Sequence, residues 1–338
     1  MIKTDKLSRS FRAPDGEEVL AVKSVDFSVA QGETVAVLGP NGAGKSTLMR
    51  MLSTLLPPTS GSATVAGFDV TTQSSQVRES IGYVGQGNGA GHTQRAIDEI
   101  VTQGRIYGLS RAAARARATE LLSILGLEQL EKRKNQEMSG GQRRRLDLAI
   151  GLVNLPPLLF LDEPTTGLDP QNRANLWDHV VQTREKTGMT IVFTTHYLEE
   201  ADQAADRIVI IDHGRIIADG TPTLLKQQHV GDRMTLDTPD LASAERLRSL
   251  LATTDGVHAA AQGSTVTAQV SDGRVALPAA IATAQSHAIT VTGADTKLPT
   301  LDDVFLELTG RSLRDTGETT AGEPDNNEPN RELKESSR

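Results

Sequence analysis

Residues Gly39 to Thr47 read GPNGAGKST, and the apolar run TVAVL at Thr34 to Leu38 leads straight into them. The segment that follows, STLMRMLSTLL from Ser46, has apolar residues at Leu48, Met51, Leu52 and Leu55, the spacing of a helix packed on a sheet. Strand, glycine-rich loop and helix in that order let successive backbone N–H groups converge on phosphate oxygens. Gly39, Gly42 and Gly44 permit the backbone geometry, with Pro40, Asn41 and Ala43 between them. Lys45 adds a point charge, Ser46 offers a hydroxyl to Mg²⁺, and Thr47 completes the motif. A glycine-rich turn that binds nothing is the ordinary alternative, and the flanking strand and helix argue against it.

Two further motifs share the chain. Leu158 to Pro164 read LLFLDEP, an apolar strand that delivers Asp162 and Glu163 to its carboxyl end, where ligands sit in open α/β sheets. Asp162 is expected to hold the metal through water, and Glu163 to polarise the attacking water, because phosphoryl transfer asks mainly for positioning and electrostatic stabilisation. Met138 to Gln142 read MSGGQ before a helical stretch, so Ser139, Gly140 and Gly141, with Gln142 behind them, form a second anion site at a positive helix end. Alone, the acidic pair reads as a helix cap and MSGGQ as a serine cap with flexible glycines. In one chain with the phosphate loop, they imply ATP hydrolysis.

Composition narrows the class. The chain has 338 residues, no cysteine and a formal net charge of −8. Absent cysteine excludes disulfides, thiolate metal sites and a cysteine nucleophile. The acidic excess lies mostly beyond residue 230, so no basic field points to nucleic acid. No apolar run is long enough to span a bilayer, and the amino terminus lacks a basic-then-apolar signal, so a membrane role is expected to come through a partner.

Along the chain, SVDFSV at Ser24 to Val29 and the run into Gly39 read as strands, as do Ile81 to Val84, Leu158 to Leu161 and Thr190 to Thr194. GQGNGAG at Gly85 to Gly91 is a loop, and Thr93 to Leu130 reads as helices broken at Gly108 and Gly126. Ile208 to Gly220 has the form of a hairpin turning at His213 and Gly214. The expected fold class is α/β, a P-loop NTPase core over residues 1–230 with a helical subdomain at about 90–155. Residues 231–314 are expected to form a small accessory α+β unit, ferredoxin-like or related, with strands at MTLDT, near His258, at STVTAQVS and at AITVTG. Thr300 caps a closing helix, with Asp303 three residues on and Gly310 at its end. Residues 315–338 are acidic, poor in apolar groups and expected to be disordered. Arg143, Arg144 and Arg145 are expected on a solvated helix face, and His92, His179 and His213 show no metal-ligand spacing.

With GPNGAGKST, MSGGQ and LLFLDEP in this order, residues 1 to about 230 resemble the ATP-binding cassette (ABC) proteins of transporters. The resemblance implies further roles by position. Gln86 matches the glutamine that contacts metal and water and senses the membrane partner; His196, in TTH, matches the switch histidine at the γ-phosphate. Asp169, in GLD, matches the aspartate that communicates across the dimer, and Phe11 the aromatic stacked on adenine. ATP and Mg²⁺ are the implied ligands. Because the signature of one cassette closes over ATP held by another, a homodimer or a pair with a similar cassette is implied.

The stretch from Arg143 to Trp177, GRIYGLSR at Gly104 to Arg111 and PTLDDVFLELTGRSLRD at Pro299 to Asp315 are similar to the daunorubicin and doxorubicin resistance type of exporter ATPase. That similarity implies a peripheral subunit on the cytoplasmic face of the membrane, working with a separate permease of the type-2 export class in drug or lipid efflux. The segment from Gly85 to Ile100 departs from the usual pattern after the glutamine, at a loop that contacts the permease. A soluble ABC ATPase acting on ribosomes or DNA is the alternative; such proteins carry two cassettes or long coiled coils, and neither pattern is present.

Overall fold

The computed structural model describes residues 1–310 apart from 13–15, 88, 90, 92 and 254–256; the acidic tail 315–338, His92 and part of the loop after Gln86 lie outside the described residues. Among the described residues, six strands form the central sheet in the order Arg215–Gly220, Arg207–Asp212, Thr34–Leu38, Thr190–Thr194, Leu158–Asp162, Ile81–Val84. All neighbours are parallel except the edge hairpin Arg207–Asp212 with Arg215–Gly220. Thr34–Leu38, Leu158–Asp162 and Thr190–Thr194 are buried at every position. Such strands show no polar alternation because both faces are covered.

Each face has its own core. Ala36, Leu159, Leu161, Phe193 and Ile210 pack under the helices Ala96–Ile106, Arg111–Ile124 and Gly140–Gly151. The alternate residues Val35, Val37, Phe160, Val192 and Val209 pack against the helix Lys45–Leu52 and an antiparallel sheet built around Ile2–Arg12. In that second sheet the expected strand Ser24–Val29 is not continuous. Glu18–Val25 is one strand, and Ser28–Val29 is a short separate one. Ser24 has φ of 52°, and the buried Thr4 hydroxyl bridges the break by donating to Val25 O at 2.8 Å and accepting from Phe27 N–H at 2.7 Å. A turn stitched by a residue from a distant strand leaves no local signal.

The C-terminal unit runs strand, helix, strand, strand, helix, strand, and its antiparallel sheet has the order His258–Gln262, Thr265–Val270, Asp232–Asp237, Gly293–Lys297. This is the ferredoxin-like plan. Its last strand begins later than AITVTG suggests. Ala288 has φ of 54° and Ile289 N–H donates to Ala284 O at 2.9 Å, so this apolar segment closes the helix Gly273–Ser286 before pairing starts at Gly293.

The closing helix Leu301–Thr309 has the expected capping box at Thr300 and Asp303, and Gly310 ends it at φ 69°. Sequence grouped this helix with the accessory unit; its packing is different. Leu301, Val304 and Phe305 are buried in the core of the main unit, and the helix lies against Pro222–His229 and Leu198–Ala204. The chain therefore leaves the main unit near Val230 and returns at Pro299. Phe305→Ala should cost about 3–5 kcal/mol in guanidinium unfolding, as a large buried aromatic does. Leu306→Ala, on the exposed side of the same helix, should stay within about 0.5 kcal/mol of the parent.

Candidate active site

The phosphate-loop residues lie between the strand Thr34–Leu38 and the helix Lys45–Leu52. Gly44 has φ of 108°, and a Cβ there would stand 2.4 Å from Ala21 O, so only glycine lets the loop pass beneath the strand Glu18–Val25. Lys45 is 5% exposed; its Nζ donates to Gly39 O at 2.8 Å and Pro40 O at 3.1 Å. Burial pulls its pKa down, and the nearby Glu163 and Asp162 charges oppose that.

Asp162 ends the strand Leu158–Asp162 at 1% exposure. Its Oδ1 accepts from Ser46 Oγ at 3.1 Å and Thr194 Oγ1 at 2.7 Å, and its Oδ2 from the Tyr83 hydroxyl at 3.3 Å. Burial, then the Asp162 charge, push the Tyr83 pKa up to about 12, which keeps the phenol a donor.

The next residue has an unusual backbone. Glu163 has φ of 46°, a left-handed conformation that costs a non-glycine residue about 1–3 kcal/mol and clusters at functional sites. Its N–H donates to Thr194 Oγ1 at 2.9 Å. The turn places the Glu163 carboxylate 4.0 Å from Lys45 Nζ, while its Oε2 accepts from Thr166 Oγ1 at 3.1 Å and pairs with His196 Nδ1 at 3.4 Å. The His196 hydrogen bond is the largest influence lowering the Glu163 pKa; burial opposes it and Lys45 reinforces it. Glu163 is thus an ionised carboxylate in a half-enclosed setting.

Asn41, Gln86, Gly140 and Glu163 line one cleft of about 520 Å³, together with Arg144 and the turn Thr166–Leu168. Ser139 caps the helix Gly140–Gly151: its Oγ accepts from Gln142 N–H at 3.3 Å, and Gln142 Oε1 accepts from Ser139 N–H at 3.0 Å. Asp169 caps the helix Pro170–Thr187 and accepts from Asn172 N at 3.0 Å and Asn172 Nδ2 at 2.5 Å. A Cβ on Gly141 would stand 2.5 Å from Asn172 Oδ1, so the MSGGQ helix and the Asp169 turn are pressed together through one side chain. Phe11 is not among the residues lining the cleft; it is 39% exposed, paired with Val19 two residues before Ala21, and has the Arg9 guanidinium 4.9 Å from its ring.

Arg144 corrects the expectation of a solvated helix face. It is 7% exposed, and its guanidinium donates to Pro164 O at 2.5 Å, Gly85 O at 2.8 Å and Gly87 O at 2.9 Å, with Asp162 O and Glu163 O each at 3.4 Å. Asp147, one turn along, lies 3.8 Å from Arg144 and accepts the Gly89 N–H at 3.0 Å. Together they grip the backbone on both sides of Gln86. The spacing of Arg144, four residues from Gly140 and from Leu148, gave no signal, because a solvated arginine has the same spacing. A second buried link was also missed: Glu200 accepts from Thr165 Oγ1 at 2.6 Å and Thr195 Oγ1 at 2.9 Å, joining the turns after Asp162 and Thr194.

Residues 22–166 match the ABC transporter family. The chain is 42% identical over 305 residues to the daunorubicin/doxorubicin resistance ATP-binding protein DrrA of Streptomyces peucetius, covering 90% of this chain and 92% of that one. It is 36% identical over 319 residues to the linearmycin resistance ATP-binding protein LnrL of Bacillus subtilis, covering 93% and 100%. A dimeric post-hydrolysis structure of the ATP-binding cassette MJ0796 with ADP and Pi superposes with a TM-score of 0.61 at 26% identity, over 65% of this chain and 98% of that one. With the phosphate loop, the Asp162–Glu163 pair and the MSGGQ helix converging on one end of the sheet, the chain belongs to the ATP-binding proteins of ABC transporters and is an ATP-hydrolysing enzyme.

Proposed function

We propose that two copies of this chain, or one copy and a similar cassette, close around ATP and drive efflux of a drug or lipid-like compound through a separate permease at the cytoplasmic face of the membrane. The observation that carries the catalytic part is the left-handed turn at Glu163, which holds an ionised carboxylate between Lys45 and His196 at the mouth of the cleft. The resistance and export roles named for the similar proteins support the transport part, and support it over action on ribosomes or DNA. No helix among the described residues is long and apolar enough to cross a membrane, so a permease of the type-2 export class would supply the path and the cargo contacts.

In this reading the loop from Gly39 to Thr47 binds the phosphates through its amides and Lys45. Ser139, Gly140, Gly141 and Gln142 present a second helix end to the phosphates of ATP held by the partner cassette, so charge neutralisation is complete only on closure. Asp169 sits beside that signature and transmits closure, and Phe11 stacks on adenine.

Mg²⁺ fits the donor set. Ser46 Oγ and Asp162 Oδ1 are hard oxygens 3.1 Å apart beside the loop, and Gln86 lines the cleft that Asn41 and Glu163 also line. No cluster of three His, Asp or Glu that could hold a metal occurs among the described residues. That suits a cation that binds one or two protein oxygens and otherwise keeps water and phosphate. When bound, the metal would neutralise charge on the phosphates. Glu163 orients and polarises the attacking water, and His196 both holds Glu163 and reaches toward the γ-phosphate.

Glu163→Gln should bind ATP as the parent does, lose turnover by about 10²–10⁴-fold, the range of general-base catalysis, and accumulate an ATP-dependent dimer in light scattering. Rapid hydrolysis by that variant would refute the assignment. In the residual activity of His196→Ala, the acid limb of the kcat profile should move to higher pH, because the donor that lowers the Glu163 pKa is gone. Arg144→Lys keeps the charge but not the planar fork across several carbonyls. It should lower kcat about tenfold or more while KM for ATP stays within about twofold, since the grip acts on transition-state geometry around Gln86.

A further inference from the structure

In the C-terminal unit, Met234, Leu236, Val266, Ala268 and Val270 point into the core beneath the helices Leu241–Leu251 and Gly273–Ser286. Strand alternation therefore turns Arg233, Thr267 and Gln269 to the opposite face. The register aligns His258 with Gln269, Gln269 with Arg233, and Arg233 with Lys297, so one row across the sheet carries three basic side chains.

Like charges directly opposite on antiparallel strands are destabilising. Arg233 and Lys297 are such a pair, and the charge that both of them share is the Asp303 carboxylate, whose pKa each helps to lower. The row lines a cavity of about 350 Å³. Gln269 fixes one side of it by donating its amide to Val230 O. The cavity lies where the chain passes between the units, with Val230 and Gly231 on the outgoing segment and Leu298 and Pro299 on the returning one. Asp303 supplies the acidic group in the lining, and its Oδ2 is already engaged by Thr300 N–H at 2.8 Å and Thr300 O–H at 2.6 Å. Its single negative charge faces both Arg233 and Lys297, so the lining carries more positive than negative charge, beside an apolar rim.

We propose that this cavity binds a small organic anion, a carboxylate or a phosphate ester. Arg233 and Lys297 pair with its charged group, and Leu298, Pro299 and Ala260 cover its carbon frame. The occupant touches both the sheet and the segment leading into the helix Leu301–Thr309, whose Val304 and Phe305 are seated in the main core. Occupancy therefore fastens the C-terminal unit to the ATP-hydrolysing unit without using any residue of the ATP site.

The test is calorimetric titration of the full chain, with MgADP in excess to occupy the phosphate loop, using citrate and glycerol 3-phosphate as separate probes. One site per chain for either probe is expected, citrate reporting a carboxylate preference and glycerol 3-phosphate a phosphate one. Arg233→Ala/Lys297→Ala should weaken that binding by about tenfold or more, the effect of losing charge-assisted hydrogen bonds, while Lys132→Ala on a remote exposed site leaves it unchanged. The proposal is overturned if the double variant keeps parental affinity, or if neither probe binds up to about 10 mM, weaker than any useful affinity.

Discussion

Asp162 is a carboxylate buried at the end of a strand covered on both faces, and such a charge persists only when its neighbours compensate it. Those neighbours come from everywhere in the main unit. Ser46 belongs to the helix after the phosphate loop, Thr194 to the strand Thr190–Thr194 and Tyr83 to the strand Ile81–Val84, while the Lys45 ammonium stands close by. Satisfying one charge therefore fixes the relative heights of adjacent strand ends and of the loop. The same Thr194 hydroxyl accepts the Glu163 N–H, so the network that stabilises Asp162 also holds the strained turn that aims Glu163. Stability of the sheet end and geometry of the site are one problem with one solution.

A second buried charge extends this order outward. The Arg144 guanidinium, with Asp147 as its acidic neighbour, spends its donors on the backbone around Gln86 and after Asp162. Desolvation lowers the Arg144 pKa, and the Asp147 and Asp162 charges counter it. A buried cation of this kind contributes little net stability but specifies geometry, because any displacement leaves it unpaired. Here it ties the MSGGQ helix to the loop carrying Gln86. Asn172 does the same between Gly141 and Asp169 through packing. The loop carrying Gln86, the MSGGQ helix and the Asp169 turn are thus mechanically linked to the strand end that carries Asp162 and Glu163.

The C-terminal unit joins this frame through two neighbouring segments. Its own core of Met234, Leu236, Leu247 and Val266 is separate from that of the main unit. The helix Leu301–Thr309 nevertheless returns to bury Val304 and Phe305 beneath Leu198–Ala204 and Pro222–His229. Because Leu198–Ala204 follows directly after His196 and Tyr197, that return packs on an element adjacent to the Glu163–His196 pair. The LDDVFL phrase is therefore legible as a helix from its capping box and apolar spacing, while its destination in the main core is a long-range matter.

Sequence alone determined what depends on local chemistry and short spacing. The phosphate loop, the acidic pair at a strand end and the serine-capped glycine helix each carry their geometry within a few residues, and runs such as LLFLD declare a doubly covered strand. The ferredoxin-like order of the last unit was likewise readable from alternating periods. Tertiary structure decided what needs partners far apart in the chain. Thr4 bridging the break after Val25, Arg144 turned inward among carbonyls rather than outward to water, and the basic row His258–Gln269–Arg233–Lys297 all depend on register and burial. An arginine's pattern is the same on a solvated face and in a clamp, because what separates them is the desolvation cost and the carbonyls that offset it, and both are set only when the sheet ends come together.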